Sequence, residues 1–145
     1  MTTGSAVYVL DSFALLAYLG GEKGMTHVRE ILANSARTQC RAYLSLISLG
    51  EVLYIIERER SLPKAQGALA AIEQLPLEIL PASRDAVLAA AHVKARFPIS
   101  YADAFVVAAA QEHDGTILTG DPEFAAVQSL VRVEWLPRSS HSGGS

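Results

Sequence analysis

The sequence predicts an α/β fold, a parallel sheet covered by helices on both faces. Two observations carry this: β-branched runs of about five to seven residues alternate with stretches of helical apolar spacing, and no hairpin dipeptide joins one run to the next.

The elements follow in order. "SAVYVLD" is a first strand ending at Asp11, and "SFALLAYLGG" is a helix stopped by a double glycine. "THVREILANS" has amphipathic helical spacing, and "AYLSLIS" is a second strand. "LGEVLYIIERERS" and "LPKAQGALAAIEQL" are two helices broken near Pro63, and "LEILPA" is a third strand. Ser83 opens the helix "SRDAVLAAAHVKARF", which Pro98 ends; "YADAFVVAAAQEHD" is the next helix, stopped at Gly115. "TILTGD" is a fourth strand, "PEFAAVQS" a short helix with Pro122 first, and "VRVEWLP" a closing strand.

With 145 residues the chain fits one domain, assigned to residues 1–137; 138–145, "RSSHSGGS", is a Ser/Gly-rich tail expected to be flexible and to be a cloning remnant. His141 is excluded from site arguments on that ground. Half the residues are apolar, yet charges break every apolar run well short of the ~18 residues of a membrane span. No signal peptide is visible at the N-terminus. The single cysteine, Cys40, can form neither an internal disulfide nor a multi-cysteine zinc site, so a reducing, cytoplasmic setting fits and the thiol is set aside as idle.

Four carboxylates occupy equivalent places in this layout. Asp11 ends the first strand, Glu51 lies in the first turn of the helix after the second strand, Asp103 lies in the first turn of the helix opened by Ser100, and Asp121 ends the fourth strand. In a parallel α/β sheet the carboxyl ends of the strands and the N-termini of the following helices share one edge, where such folds bind ligands. Each acid alone is explained by capping: Ser48 to Glu51 and Ser100 to Asp103 have capping-box spacing, Asp121 precedes Pro122, and Asp11 precedes a helix.

The four together need more. Two carboxylates ~5 Å apart repel by about 3 kcal/mol at an effective dielectric of 20, so a cluster of four rivals a domain's stability of ~5 to 15 kcal/mol unless it is neutralised. No lysine or arginine stands within six residues of Asp11, Asp103 or Asp121. An oxygen-ligand site for Mg²⁺ or Mn²⁺ answers this economically. Setting the quartet aside leaves 11 acidic residues against 12 basic ones, so the rest of the molecule carries +1 although the chain totals −3, and an anionic substrate can approach.

At these residues the sequence resembles the PIN domains, most of all the VapC-type toxins of bacterial and archaeal toxin–antitoxin pairs. The resemblance rests on "VLDSFALLAYL", "SLISLGEVLY" and "ISYADAFVVAAAQEHDGTILTGDPEF" and spans residues 7 to about 136. It implies a three-layer α/β/α fold, Mg²⁺- or Mn²⁺-dependent ribonuclease activity on tRNA, ribosomal RNA or mRNA, homodimers, and inhibition by a cognate antitoxin. The family's acidic quartet falls on Asp11, Glu51, Asp103 and Asp121, and Ser12 and Thr119 match its small hydroxyl positions. Many relatives carry a further aspartate where this chain has Glu123, whose longer side chain is expected only as an outer ligand.

The expected chemistry is hydrolysis of RNA phosphodiesters by metal-activated water, with Asp11, Asp103 and Asp121 holding one or two ions and Glu51 either a ligand or the group orienting the water. Arg58, Arg60, Lys94 and Arg96 are the unranked candidates for RNA contact, and the apolar positions of "EVLYIIER" and "THVREIL" are candidates for an antitoxin groove. His27, His92 and His113 are expected at the surface or at helix ends. A phosphatase using a D-x-D pair is excluded because Asp11 is followed by Ser-Phe, and no glycine-rich phosphate loop is present. The alternative is a silent PIN-like module that binds RNA or protein; its usual sign, loss of one acid, is absent.

Overall fold

Five strands, Ala6–Leu10 (β1), Cys40–Ser45 (β2), Glu78–Leu80 (β3), Thr116–Thr119 (β4) and Arg132–Trp135 (β5), pair all in parallel in the order β3-β2-β1-β4-β5. They belong to a computed structural model that describes residues 6–137, so the Ser/Gly-rich segment 138–145 lies outside the described residues. Six α-helices connect the strands: Ser12–Leu19 (α1), Met25–Ala36 (α2), Leu46–Glu59 (α3), Leu62–Glu73 (α4), Arg84–Arg96 (α5) and Tyr101–His113 (α6). A 3-10 helix, Pro122–Val127, lies between β4 and β5.

The period of two along each strand splits the core into two layers. Val9, Tyr43 and Ile117 face one side, where they pack with α5, α6, Phe124 and Val127. Leu10, Leu44 and Leu118 face the other, against apolar residues of α1, α2, α3 and α4. The result is the three-layer α/β/α arrangement expected from the alternation of elements. Helix α6 is buried continuously from Asp103 to Ala110, as its apolar composition requires.

Register brings the strand ends together. Leu10 is paired with Leu44 on one side and with Leu118 on the other, so Asp11, Ser45 and Thr119 emerge side by side at the carboxyl edge of the sheet. Phe124 is fully buried just after Asp121 and Glu123 and anchors the 3-10 helix to the sheet.

Two of the boundaries that differ from those predicted bear on the acidic edge. The second strand ends at Ser45, whose hydroxyl accepts from the Ile47 amide, so α3 starts at Leu46 and absorbs the "LIS" assigned to the strand. Glu51 therefore sits in the second turn of α3 rather than the first, and the Ser48 to Glu51 capping box does not form. Strand propensity of the apolar run "LSLIS" was overridden by the cap at Ser45. The fourth strand likewise ends at Thr119, and Asp121 caps the 3-10 helix instead of closing the strand.

The face carrying α1 to α4 leaves a groove of about 930 Å³, lined by Phe13, Leu16 and Leu19 of α1, Ile55 and Ile56 of α3, and charged residues including Arg60 and Lys64 at its rim. Helix α3 contributes as expected, but Val28, Ile31 and Leu32 of α2 are spent in the core, and α1 takes their place in the groove.

Candidate metal centre

A chain of hydrogen bonds joins three segments at the carboxyl edge. Asp11, 1% exposed, caps α1: its Oδ1 accepts from the Ala14 amide at 2.9 Å, and its Oδ2 accepts from the Thr119 hydroxyl. The same Thr119 Oγ1 accepts from the Asp121 amide at 2.9 Å, and Asp121 Oδ1 accepts from the Glu123 amide at 2.9 Å. Glu123 Oε1 then accepts from the Ser100 amide at 3.0 Å, and Ser100 Oγ accepts from the Asp103 amide at 3.1 Å. Between Thr119 and Asp121 stands Gly120, where a Cβ would lie 2.3 Å from Phe13 Cε1; only glycine lets this link run against the Phe13 ring.

The contacts at Ser100 reconcile the capping and site readings of Asp103. A full capping box would return the Asp103 carboxylate to the Ser100 amide. Here Glu123 takes that amide, so only half the box forms and the Asp103 carboxylate is left to the acidic site.

Carboxylate oxygens of Asp103, Asp121 and Glu123 lie within 4.8 Å of one another. Burial pushes the Asp103 carboxyl up to about 9, with the Glu123 contact and the charges of Asp11, Glu123 and Asp121 adding to the rise. Glu123 moves the other way, held down first by that contact with Asp103, then by the Ser100 amide and by the positive charge of Lys94. The pair thus shares one proton, carried on Asp103 and donated to Glu123. Burial also raises Asp11 to about 7, against the lowering by its bonds from Thr119 and Ala14, and the Asp121 charge adds to the rise.

The structure therefore brings Asp103, Asp121 and Glu123 together and sets Asp11 in their electrostatic field. Glu123, expected only as an outer ligand, stands among the inner oxygens because the 3-10 helix turns its side chain toward Ser100. The Asp-Pro-Glu spacing at a helix start was the available signal. Of the two hydroxyl positions, Thr119 bonds both Asp11 and the Asp121 amide, whereas Ser12, the first residue of α1, takes no part in the hydrogen-bond chain. Glu51 is not among the charges that shift Asp11 or Asp103, but its Oε1 is buried with no hydrogen-bond partner among the described residues.

These features fit a hard divalent cation. The clustered donors are all oxygen, and the two ion pairs among the described residues, His27 with Glu134 and Arg132 with Asp114, lie elsewhere. Among the described residues no basic side chain forms an ion pair with Asp11, Asp103 or Asp121, and without metal their burial and mutual repulsion favour the protonated carboxyls of Asp11 and Asp103. The other side chains set aside on sequence have structural places: His113 stacks on Tyr43, His92 contacts Arg96, and buried Cys40 donates to the Ile31 carbonyl.

Thr119→Val is expected to keep the fold while weakening metal binding, since the hydroxyl links Asp11 to the Asp121 backbone. A loss of ~10- to 100-fold in apparent Mn²⁺ affinity, followed by thermal shift, is the scale for an outer-shell partner. Unchanged affinity would remove Thr119 from the site.

Comparison with known proteins bears on the same residues. The family model of the PIN domain matches residues 8–130. Comparison with curated proteins returns no match. Among solved structures, VapBC2 from Rickettsia felis bound to a DNA fragment from its promoter superposes with a TM-score of 0.70 at 18% identity, covering 90% of this chain and 99% of that one. VapC20 of Mycobacterium tuberculosis, a toxin that cleaves the sarcin–ricin loop, gives 0.69 at 19% identity over 91% and 100% of the two chains. FitAcB from Neisseria gonorrhoeae gives 0.62 at 21% identity over 87% and 95%. At such identities the superpositions establish the fold, and the family match, which runs from β1 through the acidic edge to the end of the 3-10 helix, establishes descent: the chain belongs to the PIN-domain family.

Proposed function

We propose that this protein is a metal-dependent endoribonuclease, the toxin of a toxin–antitoxin pair, acting in the cytoplasm as a homodimer. The observation that carries the reading is the Asp103, Asp121 and Glu123 oxygen cluster, within 4.8 Å and without a basic ion-pair partner among the described residues, at the carboxyl edge of a PIN fold. No helix among the described residues is long and apolar enough to cross a membrane.

In this reading Asp11, Asp103, Asp121 and Glu123 supply the oxygen donors for Mg²⁺ or Mn²⁺. Bound there, the cation would lower the pKa of a water and stabilise charge developing on the scissile phosphate. Thr119 and the Ala14 amide hold Asp11 in one orientation, and the Ser100 amide holds Glu123. Asp103 would release its proton to offer a charged oxygen to the cation. Glu51, with its unsatisfied Oε1, is assigned as a further ligand or as the group that orients the water.

An antitoxin partner is supported by the groove between α1 and α3, whose apolar floor and charged rim suit an amphipathic helix. Among the similar folds are a DNA-bound VapBC from Salmonella typhimurium and a toxin–antitoxin complex from Klebsiella pneumoniae. The decisive experiment titrates Mn²⁺ and Mg²⁺ into the purified protein while following thermal stability and cleavage of total cellular RNA. Discrete fragments that appear with metal and vanish with chelator are expected. A protein that neither binds these ions nor cuts is a silent module.

A further inference from the structure

We infer that Tyr101 is a base-stacking platform and Lys94 a phosphate contact for single-stranded RNA at the rim of the acidic site, an assignment that rests on the RNA-directed reading above. Tyr101 is the first residue of α6 and is 46% exposed, two residues before Asp103. Its ring is fixed edge-on against buried Phe105, with centroids 5.2 Å apart and planes at 63°. An aromatic ring packed against Phe105 and nearly half exposed is a ready partner for a nucleobase, and it directly follows Ser100, whose amide holds Glu123.

The other exposed aromatics have different surroundings. Tyr54 lies under the Arg58 guanidinium in the middle of α3, and Trp135 lies on the edge strand β5. Lys94 is likewise singled out among the four basic candidates. It is exposed in the last turn of α5, the helix that leads into Ser100, whereas Arg96 is engaged by His92 and the face of Phe97. The cation in the last turn of α5 and the exposed ring at the start of α6 thus stand on either side of Ser100, whose amide holds Glu123 of the oxygen cluster. Bases become available for stacking only when a strand is unpaired, which selects single-stranded segments over duplex.

Binding is measured in Ca²⁺, which occupies oxygen sites, with a mixed-sequence single-stranded RNA and an abasic ribose-phosphate strand as probes. Tyr101→Ala is expected to weaken binding of the RNA by ~5- to 150-fold and to leave the abasic strand unchanged, while Tyr101→Phe binds both like the wild type. Lys94→Ala weakens both probes and lowers the slope of log affinity against log salt by about 0.7. Wild-type affinity in Tyr101→Ala, an equal loss on both probes, a loss accompanied by a change of oligomeric state, or failure of the wild-type protein to bind RNA overturns the platform. Cleavage in Mn²⁺ separates this from the nuclease reading: cleavage without a Tyr101 effect leaves the nuclease and sinks the platform, and a Tyr101 effect without cleavage leaves an RNA-binding module.

Discussion

Asp103→Asn is expected to abolish metal-dependent RNA cleavage and, at the same time, to raise the stability of the metal-free protein. Both effects come from the shared proton. In the absence of metal the Asp103 carboxyl is protonated and donates to Glu123, so an asparagine amide can reproduce that donor with almost the same shape. The variant keeps the hydrogen bond without having to take up a proton, so its advantage over the wild type grows as pH rises above the unfolded carboxyl value of about 4. With metal the relation reverses, because an amide cannot supply the negative oxygen that the cluster offers. Cleavage should fall by more than the ~10- to 100-fold typical of outer-shell losses. Asp11→Ala is expected to lose cleavage too, but it also deletes the α1 cap, worth about 0.5–2 kcal/mol, so Asp103→Asn is the cleaner variant. Metal-dependent cleavage retained by purified Asp103→Asn would remove Asp103 from the site.

The second large effect is a stability profile that inverts with metal. Asp11 and Asp103 both have folded pKa values above the unfolded value near 4, at about 7 and about 9. Below pH ~4 each is protonated in the folded and the unfolded chain alike, and their full contribution is present. As pH rises through the window from ~4 to each folded value, the unfolded chain has released protons that the folded one retains, so stability falls by up to about 1.4 kcal/mol per pH unit per group. Glu123 has the opposite sign, since its folded pKa is depressed: its contribution is present above the unfolded value and is lost on acidification below that window. The metal-free protein should therefore lose stability from pH 5 upward and melt several degrees lower near pH 8. Mn²⁺ competes with the protons, so its stabilisation should be small near pH 5 and large near pH 8. Thermal melts in chelator and in Mn²⁺ across this range decide the matter; a metal-free melting temperature that climbs from pH 5 to pH 8 is incompatible with protonated Asp11 and Asp103.

Exposed acids at helix N-termini are stabilised by the dipole and need no other purpose. What distinguishes Asp11 and Asp103 is that they are buried as well, at 1% and 7% exposure, in surroundings that raise their pKa values. Asp11 caps α1 and belongs to the acidic edge at once, so capping and site membership are not rivals there. A carboxylate tied to a helix start is preoriented, which reduces the conformational entropy lost when a cation binds.

The sequence by itself determined the α/β class, the order of the elements and the meeting of Asp11, Asp103 and Asp121 at one edge. These depend on local periodicity and on parallel connectivity, which sends every strand's carboxyl end to the same side. It also carried the family resemblance through the Y-A-D helix and the T-x-D strand end. Only the tertiary structure decided which oxygens stand closest. Glu123 joined the inner cluster because the Ser100 amide, 23 residues away in the chain, holds its carboxylate. Glu51 moved to the second turn of α3 because Ser45, not Ser48, caps the helix. The groove took α1 in place of α2, whose apolar face was needed by the core. Each of these rests on contacts between segments distant in sequence, where hydrogen bonding and packing select among local conformations of nearly equal energy.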